Sequence, residues 1–183
     1  MKRFVYLTVV AGLIFALPVF AQESEKKVFR VGIIGLDTSH VSAFTKILND
    51  PTKGYSCRVV AGYPGGSPDV EASASRVEGF TKELREKHGV EIVDSIEAML
   101  PKVDGVLLES VDGRPHLKQA KPVIEAGIPL FIDKPMAGSL ADVIEIFELA
   151  KKHKVPCWSS SSLRFGPETI GVRNNEAIDD ILG

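Results

Sequence analysis

Cysteine and excess charge are both scarce in this sequence. The 183 residues include only two cysteines, Cys57 and Cys157, which form neither a C-x-x-C motif nor the ligand spacing of a zinc site. The 22 basic residues are balanced by 24 acidic ones, which gives a formal net charge of −2. Because a nucleic-acid-binding surface needs an excess of basic residues, we expect no nucleic-acid partner.

Long hydrophobic runs are also lacking, with one exception at the N-terminus. The exception covers residues 4–20, follows the basic pair Lys2-Arg3, and ends in the tripeptide VFA before Gln22. A basic start, an apolar stretch and small residues before a cleavage point are typical of a secretory signal peptide. An uncleaved membrane anchor is the alternative, and Pro18 favours cleavage. We therefore expect an exported protein, periplasmic or secreted, with no membrane span after cleavage.

The rest of the chain is ordinary in composition, with 44% hydrophobic and 25% charged residues, and is long enough for one domain. From residue 28 to about 160, short apolar runs alternate with helical patterns. Continuous apolar runs predict strands of a parallel sheet that is covered on both faces. The predicted strands are 28–35, 57–61, 90–93, 105–108, 128–132 and 155–158, and the predicted helices are about 40–48, 71–88, 95–100, 116–126 and 140–153. In the last helix, Leu140, Val143, Ile144, Phe147 and Ala150 share one predicted core face.

Alternating strands and helices predict an α/β fold, a doubly wound parallel sheet of the Rossmann-like, nucleotide-binding kind. About six strands are predicted, and right-handed crossovers between them favour the order 3-2-1-4-5-6. Strands 2 and 6 are distant in that order, so we expect no disulfide between Cys57 and Cys157. The predicted domains are a signal peptide (1–21), a linker (22–27), the Rossmann-like domain (28–165) and the start of a truncated or missing C-terminal domain (166–183), which we expect to be poorly ordered.

Ligands of such sheets bind beyond the carboxyl ends of the strands, where the strand order reverses. A dinucleotide site there needs G-x-G-x-x-G, but this chain has G-x-D-x-x-H from Gly35 to His40. Asp37 either takes the place of the glycine that faces the pyrophosphate or caps the following helix. A carboxylate facing the pyrophosphate would repel it, so we expect NAD(P) affinity at least tenfold below that of a G-x-G-x-x-G chain. Asp37→Gly is then expected to strengthen binding.

Motifs further along the chain resemble those of one known family. The segment from Phe131 to Ala137, FIDKPMA, is similar to the E-K-P signature of the Gfo/Idh/MocA oxidoreductases. The segment from Val106 to His116 resembles that family's fourth strand, turn and downstream histidine. Leu163-Arg164-Phe165 resembles its aromatic–arginine motif. The resemblance covers residues 28–166 and implies a Rossmann domain followed by a second domain.

The resemblance also implies a function and a set of site residues. It implies NAD or NADP as the cofactor, a small-molecule sugar or polyol as the substrate, and a homo-oligomer formed through the second domain. Lys134 is implied as the catalytic residue that approaches the nicotinamide ribose and the substrate. The implied cofactor-binding residues are Gly35, Leu36, Asp37, Thr38, Ser39, Ser110, Val111, Asp133 and Pro135.

A further group of polar residues is expected at the same edge of the sheet. His40, Asp112, Arg114 and His116 are the candidate substrate or ligand residues, and no metal site is predicted. Two alternatives stay open: a non-catalytic Rossmann-like binding domain with an eroded dinucleotide site, or a carbohydrate-active enzyme. The second would use Asp37, His40 and His116 for metal or acid–base chemistry.

Overall fold

A computed structural model describes residues 27–173 and Asn175. The six strands are β1 (Phe29–Ile34), β2 (Cys57–Tyr63), β3 (Glu91–Ile92), β4 (Gly105–Leu108), β5 (Leu130–Asp133) and β6 (Cys157–Ser160). The α-helices are α1 (Ser39–Leu48), α2 (Glu71–Ala74), α3 (Val77–His88), α4 (Ile96–Met99), α5 (His116–Glu125), α6 (Leu140–His153) and α7 (Pro167–Arg173). Short 3-10 helices cover Pro51–Lys53, Leu100–Lys102 and Ser162–Phe165.

The strands form one parallel sheet in the order β3-β2-β1-β4-β5-β6, which confirms the predicted fold class and topology. In the central strand β1, side chains on both faces of the sheet are buried. Ile33 and Ile34 are both fully buried, although successive side chains of a strand point to opposite faces. Ile33 packs with Leu84 of α3, and Ile34 belongs to the core that includes Ile124 of α5. Helices therefore cover both faces of the sheet.

Two local predictions need correction. The predicted helix 71–88 is two helices, because the α-helical segment is interrupted at Ser75 and Arg76 between α2 and α3. In α6, the side chains that pack inward are Ile146 and Ala150, whereas Leu140, Ile144 and Phe147 are exposed. The helix packs on the sheet through a neighbouring strip of its surface, so the predicted face was wrong in those three positions.

Both ends of the chain bear on the remaining expectations. Residues 167–173 form α7, where the sequence predicted that order fades, and residues 176–183 lie outside the described part. The predicted signal peptide, 1–21, also lies outside it. Within residues 27–173, no helix is long and apolar enough to cross a membrane.

Cys57 and Cys157 are both free thiols, as predicted, because β1, β4 and β5 separate their strands.

Candidate functional site

The turn after β1 lies directly against the turn after β4. Gly35 has φ +86°, a conformation that favours glycine, and a Cβ atom added there would lie 2.4 Å from the backbone nitrogen of Ser110. The Gly35 N–H donates to the carbonyl oxygen of Tyr63 at 3.0 Å, which also ties the turn to the end of β2. Gly35 therefore permits the close packing of three strand ends at one edge.

Asp37 points into the protein rather than toward a ligand. Its carboxylate is fully buried and accepts hydrogen bonds from the Ser73 hydroxyl at 2.5 Å and the Val111 N–H at 3.1 Å. The helix-cap interpretation of Asp37 is wrong, because the Thr38 hydroxyl accepts from the His40 N–H and caps α1. Leu36 is also fully buried, in the core beside Gly62, so it offers a ligand only its backbone.

His40, Asp133 and Lys134 form a contact chain at the carboxyl end of the sheet. The Nδ1 atom of His40 lies 2.6 Å from Oδ2 of Asp133, and Nζ of Lys134 lies 3.5 Å from the same oxygen. Asp133 is buried, whereas the side chains of His40 and Lys134 are 36% and 58% exposed. The buried carboxylate thus holds an imidazole and an ammonium group that both reach solvent.

Glu109 is the site residue that the sequence analysis left unassigned. It follows β4, is 1% exposed, and neither of its carboxyl oxygens has a hydrogen-bond partner. Its Oε2 lies 3.8 Å from Nδ1 of His40. Burial, reinforced by the charge of Asp133, raises the pKa of Glu109 to about 8. The sequence does contain a signal for this residue: a glutamate that directly follows the apolar strand GVLL indicates a buried charge at the strand end.

The raised pKa of Glu109 makes stability depend on pH. An unfolded chain loses this proton near pH 4.5 whereas the folded chain keeps it until about pH 8, so rising pH favours unfolding within this window. Glu109→Gln removes the dependence. We expect the stability difference between wild type and variant to change by about 2 kcal/mol from about pH 5.5 to about pH 7, at 1.36 kcal/mol per pH unit. Urea unfolding in the presence of EDTA measures it, and parallel pH profiles would contradict the buried-carboxyl assignment.

His116 bridges two turns instead of facing a cleft. It is fully buried, with Nε2 2.9 Å from the carbonyl oxygen of Ser110 and Nδ1 3.2 Å from that of Met136. Both ring nitrogens face backbone carbonyl groups, so the geometry does not support a ligand role for this histidine. The Ser110 side chain also has a partner within the protein, because its hydroxyl donates to Oε1 of Gln119 at 2.9 Å.

Asp112 and Arg114 belong to a separate polar network. The Arg114 guanidinium donates to Asp112 at 2.9 Å and to both carboxylate oxygens of Asp69, at 2.8 and 2.9 Å. This hydrogen bonding holds the pKa of the Asp112 carboxyl well below its usual range. Ser67 donates to Asp112 as well, at 2.7 Å. The predicted ligand group is thus divided: His40 lies with Asp133 and Glu109, and the Arg114 network ties the β2 and β4 loops together.

An open cleft lies beside the end of β2. It has a volume of about 340 Å³ and is lined mainly by polar and glycine residues, together with Tyr63. Lys118 and Gln119 of α5 line one side, and Gly65 and Gly66 line the loop side. This is the side of the sheet on which a doubly wound fold holds the ribose of a dinucleotide.

A sequence profile described as an oxidoreductase family with an NAD-binding Rossmann fold matches residues 29–161. The chain belongs to the Gfo/Idh/MocA family. The match confirms the resemblance carried by the D-K-P segment and makes this an NAD(P)-binding Rossmann domain, with NAD(P) as the family's cofactor. A search of curated proteins finds no match.

Solved structures with the same fold are distant in sequence. A dehydrogenase (MviM) from Clostridium difficile is 23% identical with a TM-score of 0.62, over 80% of this chain and 44% of that one. The WlbA dehydrogenase from Bordetella pertussis, in complex with NADH and UDP-GlcNAcA, is 18% identical (TM-score 0.61, 79% and 41% covered). Scyllo-inositol dehydrogenase from Lactobacillus casei is 19% identical (TM-score 0.58, 77% and 39% covered). The chain thus spans about two fifths of these relatives.

The residues present fit a dinucleotide at this edge. Helix α1 begins at Ser39 with no acidic residue in its first turn, so its N-terminus favours a phosphate group. Because Asp37 is turned inward, no carboxylate of the turn points at that position. Gly35, Thr38 and Ser39 would hold the pyrophosphate, and the cleft beside Tyr63 would hold the adenosine side.

Proposed function

We propose that this chain is the cofactor-binding part of an NAD(P)-dependent dehydrogenase that acts on a hydroxyl group of a sugar or polyol. The observation that carries the proposal is the placement of Lys134. Its exposed ammonium group follows β5 at the carboxyl edge of the sheet, 3.5 Å from Asp133. The inositol dehydrogenase and the UDP-GlcNAcA complex among the similar structures support the substrate class.

Bound NAD(P) would supply the hydride acceptor or donor, and the chain supplies orientation and charge. The ammonium group of Lys134 donates a hydrogen bond to the reacting hydroxyl oxygen and stabilises negative charge that develops on it. The carboxylate of Asp133 limits where that ammonium group can lie. The α1 N-terminus and Ser39 bind the phosphates, which places the cofactor along the strand ends. Pro135 lies next to Lys134 and restricts the backbone of the turn.

The substitution Lys134→Ala tests the proposal. In the protein that includes the second domain, we expect kcat/KM for the polyol or sugar nucleotide that it oxidises to fall at least tenfold, because a charged hydrogen bond of about 1.5 kcal/mol or more is lost. The Kd of NADH, measured by fluorescence titration, should change less than threefold. Lys152→Ala removes an exposed lysine of α6 and serves as the matched control. Unchanged kcat/KM in Lys134→Ala would contradict the role of Lys134, and absence of NADH binding by the wild type would favour the non-catalytic alternative.

Export, the domain limits and oligomer formation belong to the same proposal. The apolar run of residues 4–20 supports a signal peptide over 1–21 and a periplasmic or secreted protein. A second domain beginning near residue 166 would carry most of the substrate contacts and the contacts of a homo-oligomer. The profile match over residues 29–161 supports a Rossmann domain with these approximate limits.

A further inference from the structure

Three potential metal ligands meet at the carboxyl edge of the sheet. They come from three separate segments: His40 from α1, Glu109 from the end of β4 and Asp133 from the end of β5. One ligand atom of each residue lies within 4.8 Å of the others. His40 stands at the last position of G-x-D-x-x-H, where a dinucleotide fingerprint has a glycine that allows close packing. At this position the chain has instead a side chain that reaches Asp133.

Glu109 is the observation that points to a missing ligand. Its side chain is completely buried and lies toward Nδ1 of His40, and both of its carboxyl oxygens lack hydrogen-bond partners. A buried carboxyl group without a partner costs folding free energy, so such groups in native proteins usually mark a bound ion, a water molecule or a reactive site. A hydrogen-bonded pair of His40 and Asp133 alone would give Glu109 no role.

We propose that His40, Glu109 and Asp133 bind a divalent transition-metal ion, with Zn²⁺ as the best match. One imidazole nitrogen and two carboxylate oxygens form a mixed donor set that suits Zn²⁺ better than Mg²⁺ or Ca²⁺, which prefer oxygen ligands alone. Three protein ligands leave a fourth position of a tetrahedral ion open. The side chain of His40 is 36% exposed, so the cluster lies within reach of solvent.

The charges around the cluster are compatible with a cation. Two carboxylates and one lysine surround the position, and the ammonium group of Lys134 lies 3.5 Å from Asp133. Lys134 is more than half exposed, so its long side chain can turn from Asp133 toward the open side of the sheet edge, where the proposed function places the substrate, when a metal ion lies beside Asp133. The metal would also give the carboxyl oxygens of Glu109 the partner that they lack.

The test is direct metal titration of the purified 183-residue chain after dialysis against EDTA. We expect one Zn²⁺ per chain, with Kd in the micromolar range or below, measured by competition with a chromophoric chelator. Glu109→Gln, His40→Gln and Asp133→Asn should each weaken Zn²⁺ binding at least a hundredfold. Glu148→Gln and His153→Gln, which change residues of α6 away from the cluster, should alter Kd less than twofold. Mg²⁺ should bind far more weakly than Zn²⁺.

The outcomes separate this proposal from that of hydride transfer. Zn²⁺ affinity that is millimolar, or that survives Glu109→Gln and Asp133→Asn, would overturn the metal site. Circular dichroism of each variant shows whether it folds. If one of the three fails to fold, the Zn²⁺ affinity of the other two still decides the test. NADH titration of the same proteins reports on the dinucleotide site separately. A chain that binds NADH but no Zn²⁺ contradicts only the metal proposal, and one that binds Zn²⁺ but no NADH contradicts only the dehydrogenase proposal.

Discussion

Gly35→Ala is expected to lower the free energy of unfolding by about 4 kcal/mol or more. The φ angle of +86° alone costs an alanine about 1 kcal/mol. The larger part comes from overlap, because the new Cβ atom would lie 2.4 Å from the nitrogen and 2.5 Å from the Cα atom of Ser110. These are backbone atoms and cannot rotate away. Separating the two turns would also move the ends of β1 and β4, so NADH binding should be lost with stability.

Gly127→Ala provides the matched control. Gly127 follows α5 with a similar φ of +76°, but no residue other than its two chain neighbours has an atom within 4 Å of the position that its Cβ would take. Gly127→Ala should therefore lower the free energy of unfolding by only about 1 kcal/mol, which comes from backbone strain. Urea unfolding of both variants measures the difference. Equal losses would mean that the close approach to Ser110 contributes nothing.

Asp37→Gly is expected to destabilise the fold by about 3 to 5 kcal/mol, and it should not strengthen NAD(P) binding. The substitution leaves the Val111 N–H and the Ser73 hydroxyl without their buried acceptor. The expectation from the sequence had the opposite sign for binding, because it placed this carboxylate at the pyrophosphate. In the structure the carboxylate joins the turn after β1 to the turn after β4 and to α2 instead.

Two further variants separate charge from hydrogen bonding at Asp37. Asp37→Asn keeps one acceptor oxygen and should lose about 1 to 3 kcal/mol. Asp94→Gly, at an exposed position, should lose less than about 1 kcal/mol. Urea unfolding gives stability, and fluorescence titration at low temperature gives the Kd of NADH for folded samples. Tighter NADH binding by Asp37→Gly at native stability would restore the interpretation that this side chain repels the cofactor.

The fold could be predicted because its signals are local. Val31 to Leu36 is a continuous apolar run whose side chains are all buried, and only a strand covered on both faces can bury every side chain of such a run. Alternation of these runs with helical patterns then leaves few topologies, and right-handed crossovers select the observed strand order. The D-K-P segment could be assigned to the end of a strand because IPLFI precedes it directly. Lys134 follows from that placement, as does its position at the carboxyl edge.

The direction in which polar side chains turn was decided by the tertiary structure. In the sequence, Asp37, His40 and His116 are all polar residues that follow a strand, but Asp37 and His116 turn inward. Asp37 accepts from the Ser73 hydroxyl and the Val111 N–H, and His116 faces two backbone carbonyl oxygens. Glu109 was left unassigned because a glutamate after GVLL indicates a charge at a strand end but does not show which side chains will surround it. Whether a carboxylate at a strand end is solvated, bonded or left without a partner depends on which side chains other strands bring there. In this chain α1 and β5 bring His40 and Asp133 to Glu109, and that meeting is a property of the sheet order and not of any one segment.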